Sequence, residues 1–339
     1  MPPGSNISAR AVASCLDETP IDMPLRRVRL AVLTFASRDL LMQCRLFMHY
    51  YLQVERIPSV DMHVLLHEAN GELRSCFDQL PRSNIIDTAP RNHRLGNSSG
   101  GSRYREAHRS HALMAMQRKL LAGVYSHTLI ADLDEFVMAE PERYGSLRDY
   151  LRHNPHRRTA APSHAYEVQV IEEEEGALNW TATPLLRGQR SVMVPVCGMR
   201  KAILSRVPSH FTFSTHNMKL PTFFACAPNK WGSAADCLDD ALWLVHTKCV
   251  DLALPLANTA LLADKDRGGG DPSAVAAFLR RRCGHASAWR KKCSLGPTLG
   301  GRDSPGGPAC RKPFRLTNVG PEQQMVHVER IPTWIQARL

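Results

Sequence analysis

The chain has 339 residues, of which 43% are hydrophobic and 22% are charged, a composition that indicates a globular protein with a sizeable core. No stretch approaches the roughly 20 apolar residues needed to span a bilayer, and the first residues lack the apolar segment of a signal peptide. The formal charge of +11 favours phosphate-bearing or other anionic ligands. Aromatic residues make up only 6% and no nucleic-acid-binding module is recognisable, so we expect no nucleic-acid partner.

The cysteines and sequons bear on the compartment. The chain contains ten cysteines, and none forms a C-x-x-C pair, which argues against a zinc finger. An even number is compatible with disulfides in a secretory compartment. Three N-x-S/T sequons, at Asn6, Asn97 and Asn179, favour the same location. If the chain genuinely starts at Met1 without a leader, the cytoplasm is the alternative.

The first hundred residues begin with a βαβ pattern. Residues 1–24 are rich in proline, show little periodicity and are expected to be a disordered lead-in. Residues 28–36 ("VRLAVLTFA") form a short apolar run of strand length, and residues 60–66 are a second such run. Between them, "RDLLMQCRLFMHYYLQVE" keeps a 3.6-residue apolar period, which predicts an amphipathic helix. Strand, helix and strand in this order indicate a parallel sheet.

A second helix and strand lead to an acidic segment. A short third strand is expected near Ile85, followed by a basic, Gly/Ser-rich loop over residues 92–106. The next helix places Leu113, Met116 and Leu120 on one face and ends near Gly123. The strand "HTLIA" then runs into "DLDEF", so Asp132 is predicted at the carboxyl end of a buried strand, where open α/β sheets bind ligands.

The second half of the chain changes character. Longer strands with turns are expected beyond residue 157, and the acidic run of residues 172–175 is expected to be a solvated turn. Residues 269–339 are basic and rich in glycine and proline, so we expect a C-terminal extension with one helix and otherwise little fixed structure.

Asp132 and Asp134 are the first candidates for chemistry. On a strand, side chains at positions i and i+2 point the same way, so the two carboxylates would converge on a hard cation, Mn²⁺ or Mg²⁺. Glu135 would face away from them. The alternative is a wet turn with no ligand. The apolar residues on both sides favour coordination, because buried carboxylates must be paired or bind metal.

The segment "SHTLIADLDEFVMAEP" resembles the Asp-x-Asp-Glu-Phe segment of nucleotide-sugar glycosyltransferases of the GT-A fold, in particular the family 2-like and family 92-like enzymes. The resemblance covers about residues 26–268. It implies an α/β, Rossmann-like GT-A domain over residues 25–268, with a mixed, mainly parallel central sheet flanked by helices. It also implies metal-dependent transfer of a sugar, with inversion, from a nucleotide-sugar donor to a glycan, glycoprotein or other hydroxyl acceptor. Such enzymes are expected in the Golgi or secretory lumen, and membrane association would require a segment that this chain does not contain.

The resemblance also implies roles for individual residues. A late histidine would complete the metal site, and both His216 and His246 follow apolar, strand-like runs. Donor binding would fall to Gln117 on the helix before the motif, to Lys201, and to the pair Lys265 and Arg267, whose guanidinium suits a diphosphate. Arg103 and Arg105, which follow the "GNSSGG" stretch of the Gly/Ser-rich loop, are further phosphate candidates.

An inverting transferase needs a carboxylate that takes the proton of the acceptor hydroxyl. The candidates are Asp239, Asp240 and Glu167, and the sequence does not choose among them. The chain departs from the family where its first strand ends in Arg38-Asp39 and its second in "HEANGEL", which are donor-contacting positions. Two alternatives therefore stay open: a metal-dependent phosphohydrolase or nucleotidyltransferase that uses the same acids, and a non-catalytic GT-A-like binding module.

Overall fold

The structure is a computed structural model, and it describes a little over half of the chain. The described residues are 28–37, 41–67, 71–88, 101–155, 157, 159–172, 174–195, 203–206, 238–251, 273, 276–277, 280, 283, 314–315, 325–326 and 329–339. The predicted lead-in, residues 1–24, lies outside them.

Strands and helices alternate through the first half of the chain. The strands are β1 (Leu30–Ser37), β2 (Met62–His67), β3 (Ile85–Thr88), β4 (His127–Ile130), β5 (Glu135–Ala139), β6 (Thr159–Gln169), β7 (Val192–Pro195), β8 (Ile203–Ser205), β9 (Leu238–His246), β10 (Phe314–Arg315), β11 (Met325–Val326) and β12 (Glu329–Arg330). The helices are α1 (Leu41–His49), α2 (Gly71–Ser75), α3 (Gly101–Ala122), α4 (Leu147–His153) and α5 (Thr333–Arg338).

Ten of the strands form one mixed sheet in the order β12-β7-β6-β8-β4-β1-β2-β3, with β9 paired to β6 and β5 paired to β9. β3, β2, β1 and β4 run parallel to one another, and β8 is antiparallel to β4. The predicted α/β class with a mixed sheet, parallel in its first half and flanked by helices, is therefore confirmed. The carboxyl ends of the four parallel strands meet at one edge of the sheet.

Helices cover both faces of β1, which explains its unbroken apolar sequence. Leu30 and Val32 pack into the larger core with α1, whereas Leu33 and Phe35 pack on the opposite face against Leu113 and its neighbours on α3. A strand buried on both sides cannot show apolar-polar alternation. Packing on both faces holds β1 in position, and β4, which is hydrogen-bonded to β1, is held with it.

Two tyrosines at the end of α1 form hydrogen bonds to β5. The helix widens into a π-helical turn, Tyr50–Val54, and this buries both rings. Tyr50 Oη donates to the carbonyl of Val137 at 2.8 Å, and Tyr51 Oη donates to the carbonyl of Glu135 at 3.3 Å. Burial raises the pKa of both phenols, so they remain neutral donors. The start of β5, directly after the acidic segment, is thus held in place.

Residues 329–339, the last part of the segment for which little fixed structure was expected, pack against the sheet. β12 pairs with β7, and Ile331, Ile335 and Leu339 are each at most 3% exposed. Arg338 Nη1 donates to the buried carboxylate of Glu55 at 3.3 Å. These apolar residues recur every four positions, a helical period within "RIPTWIQARL" that the Gly/Pro-rich composition of the longer segment obscured.

Among the described residues, two disulfides are formed, Cys44–Cys76 between α1 and the end of α2, and Cys249–Cys283 after β9. Disulfides of this kind point to an oxidising environment. Within the residues described, no helix is both long and apolar enough to cross a membrane.

Candidate metal and donor site

The acidic segment forms a tight turn at the carboxyl edge of the sheet. β4 ends at Ile130, β5 begins at Glu135, and Asp132 and Asp134 lie between them. The amide of Glu135 donates to the carbonyl of Asp132 at 3.0 Å and closes the turn. Asp132 was correctly predicted to follow a buried strand. Strand alternation does not govern the two acids, however, because the strand has already ended, and their side chains have different partners.

Glu135 does not face away from the turn, as its predicted strand position had implied. Its Oε2 accepts a hydrogen bond from the amide of Asp132 at 3.0 Å, and the residue is 1% exposed. The carboxylate therefore caps the backbone of the acidic turn. This gives Glu135 a positioning role, since it fixes the direction in which Asp132 leaves the chain.

Asp134 lies beside His246, the last residue of β9. His246 Nε2 is 3.4 Å from Asp134 Oδ2, and the amide of Thr247 donates to the carbonyl of Asp134 at 2.9 Å. The pairing of β5 with β9 sets this contact, because Glu135 is opposite His246 in the register. Asp134 is 6% exposed and His246 is 2% exposed, so the contact is nearly free of water.

Glu167 holds the other nitrogen of the same imidazole. Its Oε1 is 2.7 Å from His246 Nδ1 and also accepts from the amide of Cys249 at 3.1 Å. The two residues are register partners in the parallel pair β6–β9. A carboxylate on Nδ1 favours the tautomer that carries its proton there, which leaves the Nε2 lone pair directed at Asp134. Glu167 thus acts on the histidine rather than on an acceptor hydroxyl.

This arrangement fits a divalent cation. Two ligand atoms about 2.1 Å from one ion, at right angles, lie about 3 Å apart, close to the 3.4 Å between Asp134 Oδ2 and His246 Nε2. A mixed nitrogen and oxygen pair suits Mn²⁺ better than Mg²⁺. Among the described residues, no group of three or more His, Cys, Asp or Glu side chains is close enough together to hold an ion. Of the described residues, Asp134 and His246 would supply a pair of ligands, and phosphate and water oxygens could occupy further positions.

Asp132 is engaged differently, by an arginine. Arg109 Nη2 donates to Asp132 Oδ1, and the two side chains are 13% and 12% exposed. The guanidinium carbon lies 5.3 Å from the ring centroid of Phe35, at the carboxyl end of β1. Asp132 is therefore neutralised by Arg109, whereas the nearby Asp134 faces His246.

Polar groups continue along the same edge at the ends of β2 and β3. The His67 ring lies 5.7 Å from the Phe35 ring, and His67 Nδ1 is 3.3 Å from Thr88 Oγ1. Thr88 Oγ1 donates to the carbonyl of Leu66 at 2.8 Å. Imidazole and hydroxyl groups at this edge can form hydrogen bonds to a sugar or a base.

Two of the predicted bases lie at the opposite edge of the sheet. Asp239 and Asp240 begin β9 and His246 ends it, so about 20 Å of extended strand separates them. Asp239 accepts from Tyr150 Oη at 2.7 Å and lies 3.3 Å from Arg157 Nη2, a buried structural role. Asp240 is exposed and pairs with Arg143 at 3.1 Å. Neither can take a proton at the acidic turn.

Gln117 is also structural. It is fully buried, and its Nε2 donates to Thr128 Oγ1 at 2.8 Å, near the start of β4. It ties α3 to the sheet instead of contacting a donor. The expected solvated turn over residues 172–175 holds only in part, since Glu175 accepts from Ser191 Oγ at 2.6 Å and from the amide of Ile171 at 3.0 Å.

Several predicted residues cannot be placed. Lys201, His216, Lys265 and Arg267 lie outside the described residues. Arg103 and Arg105 are on α3, where the structure describes only their backbone.

Arg109 and Glu135 are the site residues for which the sequence predicted no such role. Arg109 precedes Leu113, Met116 and Leu120 at helical spacing, so it continues the buried face of α3. A charged residue in line with a buried face requires a buried partner, and this was the signal that could have identified it. Comparison of the sequence with known protein families finds no match, and comparison with curated proteins finds none either.

Proposed function

We propose that the chain is a metal-dependent glycosyltransferase that moves a sugar from a nucleoside-diphosphate sugar to a hydroxyl of a glycan or another acceptor. One observation carries the proposal. At the carboxyl edge of the parallel strands, Asp134 Oδ2 and His246 Nε2 lie 3.4 Å apart, while Glu167 Oε1 is 2.7 Å from His246 Nδ1. A histidine oriented by a carboxylate is the usual preparation of an imidazole for binding metal.

The topology and the motif support a GT-A, Rossmann-like assignment for residues 25–268. Four parallel strands end at one edge, and open α/β sheets bind ligands outside the carboxyl ends of such strands. The sequence at this edge is the Asp-Leu-Asp-Glu-Phe segment that resembles the GT-A enzymes. The proposed fold assignment rests on the coincidence of this segment with that edge.

In the proposed site, Asp134 and His246 hold the cation and Glu167 fixes the imidazole. When bound, a divalent cation neutralises the charge of a diphosphate leaving group. His67 borders the same edge and would contact the nucleoside half of the donor. Asp239 and Asp240 are too far from the acidic turn to serve as the base. Glu167 is hydrogen-bonded to His246. Inversion therefore rests on the resemblance alone.

Arg109 provides a positive charge at the site in addition to the proposed metal ion. Without a donor it neutralises Asp132. A guanidinium binds phosphate oxygens through two parallel hydrogen bonds, as it binds a carboxylate. We propose that the diphosphate shares or takes over this guanidinium, and that the Asp132 carboxylate then becomes available to the cation. Arg109 would assume the role that the sequence assigned to other basic residues.

The proposed compartment is the Golgi or another part of the secretory lumen. The disulfides Cys44–Cys76 and Cys249–Cys283 form in oxidising compartments. Asn179, in one of the three sequons, is exposed on the loop between β6 and β7, where a glycan could be attached.

The test is donor turnover by the purified chain with a panel of nucleotide-sugars, with Mn²⁺ and without it. Asp134→Asn should abolish the Mn²⁺-dependent release of nucleoside diphosphate, because it removes one of the two proposed ligands. Asp240→Asn is the matched control, since the same chemical change is made at an acid that is 78% exposed and remote from the turn. It should leave turnover unchanged.

Other outcomes identify the alternatives. Release of nucleoside monophosphate, lost in the same Asp134→Asn variant, would indicate a phosphohydrolase or nucleotidyltransferase. Failure of every donor to turn over or to raise the melting temperature in the presence of Mn²⁺ would indicate a non-catalytic module, because a bound donor must stabilise the fold.

A further inference from the structure

A basic cleft lies at the edge of the sheet opposite the acidic turn. Its volume is about 340 Å³, and its lining residues come from the chain before β2 and from the start of α4. They include three arginines, Arg56, Arg148 and Arg152, and one carboxylate, Glu55. The cleft is thus distinct from the proposed donor site and has a marked excess of positive charge.

The one acid of the cleft is already neutralised. Glu55 is 2% exposed, lies 2.8 Å from Tyr50 Oη, and accepts from the amide of Leu147 at 2.8 Å and from Arg338 Nη1 at 3.3 Å. Among the described residues, Arg56, Arg148 and Arg152 form no ion pair. Three guanidinium groups therefore line a concave surface without a carboxylate that could satisfy them.

The backbone at Arg56 is left-handed, with a φ of +53°. Arg56 directly follows Glu55, the C-cap of the helical turn, where a left-handed residue commonly ends a helix. The amide of Ile57 donates to the carbonyl of Tyr51 at 2.8 Å and closes this helix end. Arg56 is exposed, so its guanidinium is accessible to a ligand in the cleft.

A larger cleft continues from the first. It has a volume of about 720 Å³, shares Arg148 with the smaller cleft, and is also lined by Arg29 and Arg206. Arg29 is neutralised by Asp61 at 2.6 Å and lies 4.7 Å above the ring of Tyr125, so that ring is already covered. The two clefts meet at Arg148 and together form one basic depression.

We infer that this depression binds an anionic glycan, one that carries sulfate or phosphate esters. Guanidinium groups match the oxygens of such esters in charge and geometry. A cavity of about 340 Å³ is in the range of small-ligand pockets and can admit a substituted sugar ring. The smaller cleft has no aromatic side chain in its lining, and the Tyr125 ring of the larger cleft is covered by Arg29. The depression therefore lacks the exposed stacking platform that single-stranded nucleic acid uses. This binding does not depend on the proposed transfer reaction.

The experiment measures binding of a sulfated hexasaccharide to the whole chain by calorimetry, with EDTA present and no nucleotide-sugar. The same hexasaccharide without sulfate and a mannose phosphate are measured alongside. The wild type should bind the sulfated ligand and not the desulfated one. Tighter binding of the mannose phosphate would identify phosphate as the ester. Since metal and donor are excluded, the result is independent of donor turnover.

Matched variants separate the cleft from the general positive charge of the protein. Arg148→Ala with Arg152→Ala should weaken binding about tenfold or more. Arg74→Ala with Arg143→Ala removes the same charge from arginines that pair with Asp87 and Asp240. This control should weaken binding by less than about twofold. Equal losses in the two double variants, or no binding by the wild type, would overturn the proposal.

Arg56→Gly provides a test that misfolding cannot mimic. Glycine suits the positive φ, so the melting temperature should stay the same or rise. Binding of the sulfated hexasaccharide should nevertheless fall severalfold. Unchanged affinity in this variant would show that Arg56 has no part in the site.

Discussion

Arg109 and Asp132, 23 residues apart in the chain, form an ion pair at the acidic turn. The guanidinium approaches from α3 and the carboxylate from the end of β4, and each side chain is little more than one-tenth exposed. Charges at this depth are weakly screened, so removing one partner leaves the other strongly unsatisfied. A cation that binds Asp132, or an anion that binds Arg109, must therefore compete with this ion pair.

Arg109→Gln should change cation and donor binding in opposite directions. Without its guanidinium partner, the Asp132 carboxylate attracts a cation more strongly, so Mn²⁺ affinity in the absence of nucleotide should rise about tenfold. Affinity for nucleoside diphosphate should fall by a similar factor, because the bidentate phosphate contact is lost. Electron paramagnetic resonance of free Mn²⁺ and calorimetry with the nucleotide measure the two effects.

The control for this variant is Arg143→Gln, an exposed arginine that pairs with Asp240 at 3.1 Å. It should alter neither affinity beyond about twofold. Wild-type affinities for both Mn²⁺ and nucleoside diphosphate in Arg109→Gln would contradict the proposal that this guanidinium exchanges Asp132 for the diphosphate.

Glu167→Gln should weaken Mn²⁺ binding by about 10- to 100-fold, the usual cost of losing a carboxylate that orients a metal-binding histidine. Glutamine can still accept from Nδ1, so the fold should persist while the imidazole becomes a poorer ligand. Mn²⁺ titration checks the affinity, and circular dichroism checks the fold. Glu175→Gln changes a mostly buried carboxylate that serves Ser191 and Ile171, and it should leave Mn²⁺ affinity unaltered.

The alternative interpretation of this histidine makes the Glu167 result decisive. A protonated His246 could bridge Glu167 and Asp134 as a structural ion triad. In that case Glu167→Gln and Asp134→Asn would lower the free energy of unfolding by several kcal/mol and would not affect Mn²⁺ binding.

The sequence located the acidic turn and one of its partners, and the reasons are local. An apolar run with two covered faces identifies β4, and a turn after it must lie at the edge of a parallel sheet. His246 was one of two proposed histidines because it ends an apolar strand. The direction of each carboxylate could not be predicted, because it depends on whether Asp132 still belongs to the strand, and strand ends are uncertain by a few residues.

Glu167 illustrates what local patterns cannot supply. It was proposed as a base on sequence grounds, yet its role follows from the parallel register of β6 and β9, which sets it opposite His246, 79 residues later. The prediction that Asp239 and Asp240 act at the acidic turn was also based on closeness in sequence. They precede His246 by only a few residues, but an extended strand carries them to the other edge of the sheet.

Removing the disulfide between Cys44 and Cys76 should destabilise the domain. It closes a loop with a sequence separation of 32, and the chain-entropy relation gives about 3.7 kcal/mol for a loop of this size. The double variant Cys44→Ser with Cys76→Ser should lower the free energy of unfolding in urea by roughly that amount. Non-reducing peptide mapping of the wild type, made under oxidising conditions, should recover the linked peptides, and their absence would contradict the proposed lumenal compartment.

His127 should make the protein sensitive to acid. It is 2% exposed at the start of β4, and burial, assisted by the charge of Arg206, lowers its pKa from 6.5 to about 3. The unfolded chain therefore binds a proton between these values that the folded chain does not, so the free energy of unfolding is fully retained above pH 6.5 and falls as the pH drops toward 3. At pH 4.5 this loss amounts to about 2–3 kcal/mol. His127→Gln should remove that part of the pH dependence, as measured by urea unfolding at pH 7 and 4.5, whereas replacement of the exposed His153 by glutamine should not. Parallel pH profiles for the wild type and His127→Gln would show that the acid sensitivity lies elsewhere, His63 being the next candidate because burial lowers its pKa to about 4.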